Sequence, residues 1–493
     1  MTVLCTRCTR DTKILRPERC VASDGKPCSA CAEDIELELA IKELEDQIEK
    51  MHTKRRALRT VMNQNHDQLI AKFPPEITSQ IFIHYAPRNE NDTSTSLYLG
   101  AVCQKWRQLA WRTPQLWTSL FVTLCSPQLL AEHLERSGIL PLSIVLFPSH
   151  QIIDDGIYLE AINIFNEHSS RWHVLRTALP PHHLHRLCGS LGGNMLYELI
   201  LLPMEESTER RAAYDVATFS MKCKPSPMRL TLARYRLANV DIVWNRLTHT
   251  FLQHIAVDEC FELMRRAPHL ESISLLEIIH SSGAFPAPTA RIILPQLRRL
   301  GISYIVDDSV ARELLDSMCA PSLKHWDHCL SGHAGSVISF IDHSSFSLKT
   351  FNVGGRQHRY LYDQVHRILC RLSSLELLKL QCLFPDSRID ELLNRLCASD
   401  ESSPYLPCLR TLEFGPQFMF PWRSLPRLFS SSTRRSLTVS VDLQDDQHIP
   451  DEAAGKLLEL VDAGFNLSIL REGKVDVLEE YREKRRLSHT THQ

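Results

Sequence analysis

Glycine is scarce in this chain, at 17 of 493 residues. Loops that cradle phosphates need clustered glycines, and no G-x-x-x-x-G-K-[ST] stretch occurs; a G-x-S-x-G elbow and an H-E-x-x-H pair are also absent. A surplus of charge is missing too: 56 basic residues stand against 58 acidic ones, for a formal net charge of −2. Nucleic-acid binding usually needs a basic excess on one domain, so nucleic acid is not an expected partner. No run reaches the ~18 uninterrupted apolar residues of a membrane span, and the opening MTVLCTRCTRD lacks the apolar core of a secretory signal. A membrane partner is therefore not expected, and the expected compartment is cytoplasm, nucleus or both. Among function classes, an enzyme with its own active site has the least support.

At 43% hydrophobic and 23% charged residues, the chain can fold as an ordinary globular protein, and its length calls for several domains or one repeat array. Sixteen cysteines are many, but Cys188, Cys260, Cys319, Cys370 and Cys397 each stand alone among apolar residues. They read as free thiols packed as small hydrophobes in a reducing compartment.

Residues 1–32 hold Cys5-x-x-Cys8, Cys20 and Cys28-x-x-Cys31. Cys5, Cys8, Cys28 and Cys31 have the spacing of four thiolates around one structural zinc, the only cofactor the sequence hints at. The other reading is a thiol-bearing tail with no metal. The spacing also resembles a fungal six-cysteine binuclear zinc cluster, which would imply a regulator of transcription. However, no sixth cysteine follows Cys31, and the basic residues do not match that family's compact pattern.

Residues 33–72 are periodic. Leu37, Ile41, Leu44, Ile48, Met51, Leu58, Met62 and Leu69 fall on alternating four- and three-residue steps, with Arg55 and Asn65 in the same seam. This predicts a heptad helix that either pairs with a second copy as a homodimer or folds back on the chain's own helices.

Residues 73–120 read FPPEITSQIFIHYAP, a polar insert, then LYLGAVCQKWRQLAWRTPQLWTSL. Pro74 and Pro75 stop the rod and open a helix, with Glu76 near its positive end. Ile77, Ile81 and Phe82 form an apolar stripe, a second helix carries Leu99, Val102 and Trp106, and Pro114 begins a short turn bearing Trp117. Trp106 and Trp117 are expected to pack this module's own core.

The ordered set Pro74, Glu76, Ile77, Ile81, Phe82, Val102, Cys103, Trp106, Arg107, Pro114, Leu116 and Trp117 resembles an F-box, with Phe73 where leucine is usual. The combination of cysteine head, heptad helix and this module is similar to a large group of F-box proteins from mushroom-forming fungi. The resemblance implies docking onto the Skp-type linker protein, and through it the cullin, of a ubiquitin ligase. The residues it implies for that contact are Pro74, Pro75, Glu76, Ile77, Ile81, Phe82, Leu99 and Val102.

Residues 121–470 follow another period. Leu270, Ile273, Leu275; Leu297, Leu300, Ile302; Leu348, Phe351, Val353; Leu375, Leu378, Leu380; and Leu409, Leu412, Phe414 share steps of three then two, while Leu323, Trp326 and His328 fill the same slots less well. Leu196, Leu199, Leu201 and Leu252, Ile255, Val257 also fit. First leucines from Leu270 to Leu375 lie 27, 26, 25 and 27 residues apart, the period of leucine-rich repeats. Each unit is a strand plus a helix or turn that buries its apolar face only under a neighbour. Ser274, Ser303, Asn352, Lys379 and Glu413 are expected on the outward, concave strand face. Residues 436–463 are expected to cap the array, and 471–493 to form a mixed-charge helix or tail.

The expected fold is mixed α and α/β: a long N-terminal helix, a small three-helix module, then an irregular leucine-rich-repeat solenoid. The expected function is a non-catalytic substrate-receptor subunit of a Skp–cullin–F-box ubiquitin ligase, whose repeats bind a target protein. The alternative is an F-box and repeat protein that recruits no target for degradation.

Overall fold

A computed structural model describes residues 29–66, 68–86, 94–122, 127–147, 155–203, 217–329, 334–355, 361–382, 386–397, 405–415, 420–430, 434, 436–444, 447–471, 473 and 475–490. Cys5, Cys8 and Cys28 lie outside these residues, as do the side chains of Cys31 and Asn65. The fold is mixed α and β, with a long N-terminal helix and a long parallel sheet. Two compact units divide the chain: residues 1–86 with 94–113, and residues 87–93 with 114–493.

The first unit is helical: α1 (Ser29–His66), α2 (Gln68–Lys72), α3 (Pro75–Tyr85), α4 (Ser94–Val102) and α5 (Gln104–Trp111). With no glycine or proline to break it, α1 runs 38 residues. Pro75 sets the first turn of α3, where its missing N–H costs nothing. Cys103 opens α5, its Sγ accepting from the Trp106 N–H at 3.5 Å. The core of the unit is the Phe82 ring against Trp106, centroids 4.8 Å apart, with Leu99 and Ala110 also buried. Arg107 donates from Nε to the Gly100 carbonyl at 2.8 Å and lies over the Trp111 ring. Asn63, near the end of α1, donates to the Val102 carbonyl at 3.0 Å. Upstream, the seam residues Leu37 to Met62 are exposed, so no described helix of this chain covers that stretch.

The second unit is built on strands β1 (Ser119–Val122), β2 (Leu142–Leu146), β3 (Trp172–Thr177), β4 (Glu198–Leu201), β5 (Phe219–Ser220), β6 (Arg229–Ala233), β7 (Val240–Asp241), β8 (His249–Ala256) and β9 (Ser272–Ile279). They continue as β10 (Ile292–Ile293), β11 (Arg299–Ile305), β12 (Met318–Cys319), β13 (His325–Cys329), β14 (Thr350–Gly355), β15 (Leu377–Cys382), β16 (Thr411–Phe414), β17 (Thr438–Leu443), β18 (Leu467–Arg471) and β19 (Val475–Asp476). Fifteen of them form one sheet in chain order, with β5 and β7 paired separately, as are β10 and β12. Every pairing is parallel except β18 with β19.

The apolar triplets set the register. Ile273 sits beside Leu300, Leu300 beside Trp326, and Trp326 beside Phe351; Leu275, Ile302, His328 and Val353 form the next buried row. Connecting helices such as Asp308–Ser317 and Leu361–Leu369 cover that face, and one continuous core runs the length of the sheet. Each fully buried leucine or phenylalanine contributes roughly 1.5–3 kcal/mol.

Three expectations are corrected here. Trp117 belongs to the second unit, because Pro114 breaks α5 and feeds β1: its buried ring meets His133 edge-on at 4.8 Å, with Arg136 4.7 Å from its centroid. On β8 the repeating triplet is Leu247, Thr250 and Leu252, not Leu252, Ile255 and Val257; buried Thr250 takes a leucine slot beside Ile273 and so hides the frame. Finally, residues 436–463 are not the cap, since β18 follows them in the same sheet; the helix Val477–Thr490 closes the array with Val477 and Leu478 buried. Arg471 pairs with Glu480 at 3.0 Å, and Arg482 pairs with both Asp462 and Glu479.

His328 is fully buried in a leucine slot and its Nδ1 has no hydrogen-bond partner. Burial lowers its pKa from 6.5 to about 4. Between those values the unfolded chain binds a proton that the fold refuses, so stability falls as pH drops from 6.5 to about 4. His133 shifts to about 4 in the same sense, through burial and Arg136. His328→Leu is therefore expected to raise stability at pH 7.5 by about 1 kcal/mol and to remove about 2–3 kcal/mol of the loss between pH 6.5 and about 4, read by denaturant unfolding at several pH values.

Candidate functional site

Two surfaces carry the features a binding protein needs, one on each unit. On the helical unit, α3 presents Ile77 and Ile81 one turn apart, 47% and 37% exposed, on the side away from Thr78 and Phe82. Pro74, Pro75 and Glu76 are exposed at its start, and Val102 is 49% exposed at the end of α4. Of the residues the sequence pointed to, Phe82 and Leu99 are buried at 1% and 4% and serve the unit's own core. Ile81 and Phe82 are 100° apart around the helix, and that angle separates exposed surface from core.

On the second unit the helix-free face of the sheet is open. Its central row runs Thr231, Phe251, Ser274, Gly301, Asp327, Asn352, Lys379, Glu413 across adjacent strands, about 4.8 Å apart. Four of the expected outward residues, Ser274, Asn352, Lys379 and Glu413, stand in this row, and Lys379 pairs with Glu413 at 3.0 Å. Two residues earlier runs Glu198, Arg229, His249, Ser272, Arg299, His325. Glu198 engages Arg229 at 3.3 Å, whereas Arg299 makes no ion pair among the described residues. Burial, with Arg229 and Arg299 close by, holds the His249 ring below its ordinary pKa against Glu271. His325 is lowered likewise, by burial and then Arg299, with Asp327 opposing. Both rings are therefore neutral at pH 7 and able to accept as well as donate a hydrogen bond.

Sequence reasoning missed the most unusual feature of this face. Arg234, His254, Glu277 and Tyr304 all have left-handed backbones, with φ of 65°, 58°, 63° and 54°. Each follows a residue of one register row (Ala233, Gln253, Leu276, Ser303), so four neighbouring strands kink at the same height. A non-glycine residue pays about 1 kcal/mol or more for this conformation. Sharing the kink lets the ladder resume, with Ile278 beside both Ile255 and Ile305. It also turns two consecutive side chains outward per strand: Gln253 with His254, Leu276 with Glu277, and Ser303 with Tyr304. His254 Nδ1 and Glu277 Oε1 stand 3.2 Å apart. Below this ledge Phe251 is 36% exposed, and Ser274 packs so closely on Gly301 that a Cβ there would come within 3.1 Å of the serine hydroxyl. The only signal in the sequence is an extra isoleucine three residues after the last leucine-type position, at Ile255, Ile278 and Ile305.

The buried acids outside these surfaces are satisfied within the fold. Glu259 accepts from Leu237 N at 2.8 Å and from Arg236 at 3.3 Å. Asp258 is pushed up by burial, but hydrogen bonds from Ser282 and Phe285 outweigh this and hold its carboxyl below the usual range. Burial raises the Cys260 thiol well above its ordinary value. No three metal-ligating side chains gather among the described residues, His182, His183 and His185 included, and no described helix is long and apolar enough to cross a membrane.

No family model matches this chain, and no curated protein does. Among solved structures it is similar to a chain of a TLR13–ssRNA13 complex, at 14% identity and a TM-score of 0.28, over 61% of this chain and 51% of that one. This chain thus spans about half the length of that protein. Similarity at that level identifies neither fold nor function.

Two outcomes follow from the geometry. Phe82→Ala should cost the helical unit about 3–5 kcal/mol, while Ile81→Ala should cost under about 1 kcal/mol, as read by urea unfolding. Arg234→Gly should leave stability unchanged or raise it by about 0.5–1 kcal/mol because its backbone is already left-handed, whereas Lys379→Gly in a regular strand should lower it by about 1 kcal/mol.

Proposed function

We propose that this chain is the substrate-receptor subunit of a Skp–cullin–F-box ubiquitin ligase. In this reading the helical unit is an F-box that docks the Skp-type linker, and the second unit is an irregular leucine-rich-repeat array that holds a target protein. The chain itself is not an enzyme: ubiquitin transfer is carried out on its partners, in the cytoplasm, the nucleus or both.

The observation that carries the reading is the outward stripe of α3. Its Ile77 and Ile81 match the F-box pattern and are exposed beside a core that already contains Phe82, Trp106 and Leu99. Exposed apolar residues that the fold does not need, on a short helix opened by two prolines, suit a helix–helix interface with another protein. The ledge on β6, β8, β9 and β11 supports the second half of the reading, since backbone strain kept in register across four strands is characteristic of a recognition surface.

Calorimetric titration of the purified full chain with recombinant Skp-type linker protein tests the assignment. The wild type should bind, and Ile77→Asp/Ile81→Asp/Val102→Asp should weaken binding by about a hundredfold or more without shifting the unfolding midpoint. Unchanged affinity in that variant contradicts the reading.

A further inference from the structure

The heptad stripe of α1 faces solvent: Leu37, Ile41, Leu44, Ile48, Met51, Leu58 and Met62 are between 48% and 63% exposed. A 38-residue helix with such a stripe needs a cover. Its charge is sharply divided. Glu33 to Glu49 holds eight acidic residues and one lysine, while Lys50 to Arg59 holds five basic residues and no acidic one. We propose that the cover is the α1 helix of a second copy of this chain, running antiparallel, so that the acidic half of each helix lies along the basic half of the other.

The spacing selects both direction and register. Ile41, Ile48, Arg55 and Met62 occupy the first seam position of each heptad, and Leu37, Leu44, Met51 and Leu58 the fourth. A parallel, in-register pair places Arg55 against Arg55 in the seam. Its flanking contacts set Glu33 against Glu38 and Lys54 against Arg59, all between like charges. The antiparallel pair instead stacks Leu37 on Met62 of the second copy, Ile41 on Leu58 and Ile48 on Met51, each twice. Arg55 meets Leu44 beside Glu45 of the other helix, so its stem can lie on the leucine while the guanidinium reaches the carboxylate. The flanking positions become Glu38 with Arg59 and Glu45 with His52. Shifting the antiparallel register one heptad earlier sets Glu45 against Glu45, and shifting it one heptad later shortens the overlap. Pairing in this sense sends the two helical units to opposite ends of the rod, their Met62 residues roughly 40 Å apart at 1.5 Å per residue.

The dimer does not depend on the ligase reading, since nothing in it uses the α3 stripe. Sedimentation equilibrium of the full chain tests it with Glu38→Lys, Arg59→Glu and the double variant. Each single change turns two attractive contacts per dimer repulsive, so the dissociation constant should rise about tenfold. The double variant should restore it. Residues 38 and 59 of one helix are ~31 Å apart and cannot touch each other, so restoration reports contact between copies. In a parallel dimer both single variants would relieve like-charge contacts and tighten association, which overturns the proposal. A wild-type chain that is monomeric at tens of micromolar, or singles that leave the constant unmoved, also overturns it.

Discussion

The second unit depends on one constraint: neighbouring strands must stay in register so that each apolar triplet is covered by the next. Leu300 is dry because Ile273 and Trp326 flank it, and Trp326 because Phe351 and the rings of Phe340 and Phe346 close around it. No unit can satisfy its own apolar face. The constraint reaches the ends, where the helix Val477–Thr490 turns Val477 and Leu478 onto the last strands and its charged side chains outward. It also governs the strain on the open face. A single left-handed residue would break its ladder, but the kinks at one height let β8, β9 and β11 resume pairing, while β6 ends just before its own.

This economy determines where recognition can happen. One face of the sheet is consumed by the core, so the polar and charged side chains stand on the other, where the ledge of paired outward residues lies above exposed Phe251. The helical unit divides its residues in the same manner at smaller scale. Phe82 and Trp106 hold it together while Ile77 and Ile81 remain available. Each unit thus keeps a complete core and a separate apolar or mixed surface, the division of labour that the proposed adaptor role requires.

Much of this architecture was legible from spacing alone. The triplets from Leu270 to Phe414 predicted both the strands and their register, because an apolar residue in nearly every slot, His328 being the exception, leaves no other frame. Legibility failed where chemistry disguised a slot. Thr250 is buried in a leucine position, so spacing alone places the β8 frame five residues too late. The ledge was invisible because arginine, histidine, glutamate and tyrosine do not advertise a left-handed backbone as glycine does. Phe82 looked like a contact residue since periodicity cannot say which edge of a wide stripe turns inward. Trp117 was assigned to the helices because the boundary at Pro114 depends on packing partners, His133 and Arg136, that lie further along the chain.

The central claim is that the two units bind different proteins independently. Quantitative affinity purification of three full-length forms tests it most directly: wild type, a form with Ile77 and Ile81 changed to Asp, and a form with Phe251 and Arg299 changed to Ala. The account predicts that the first variant loses linker and cullin but keeps other partners, and that the second keeps linker and cullin but loses a target. Joint loss of both sets in either variant, or retention of linker and cullin by the first, would contradict it.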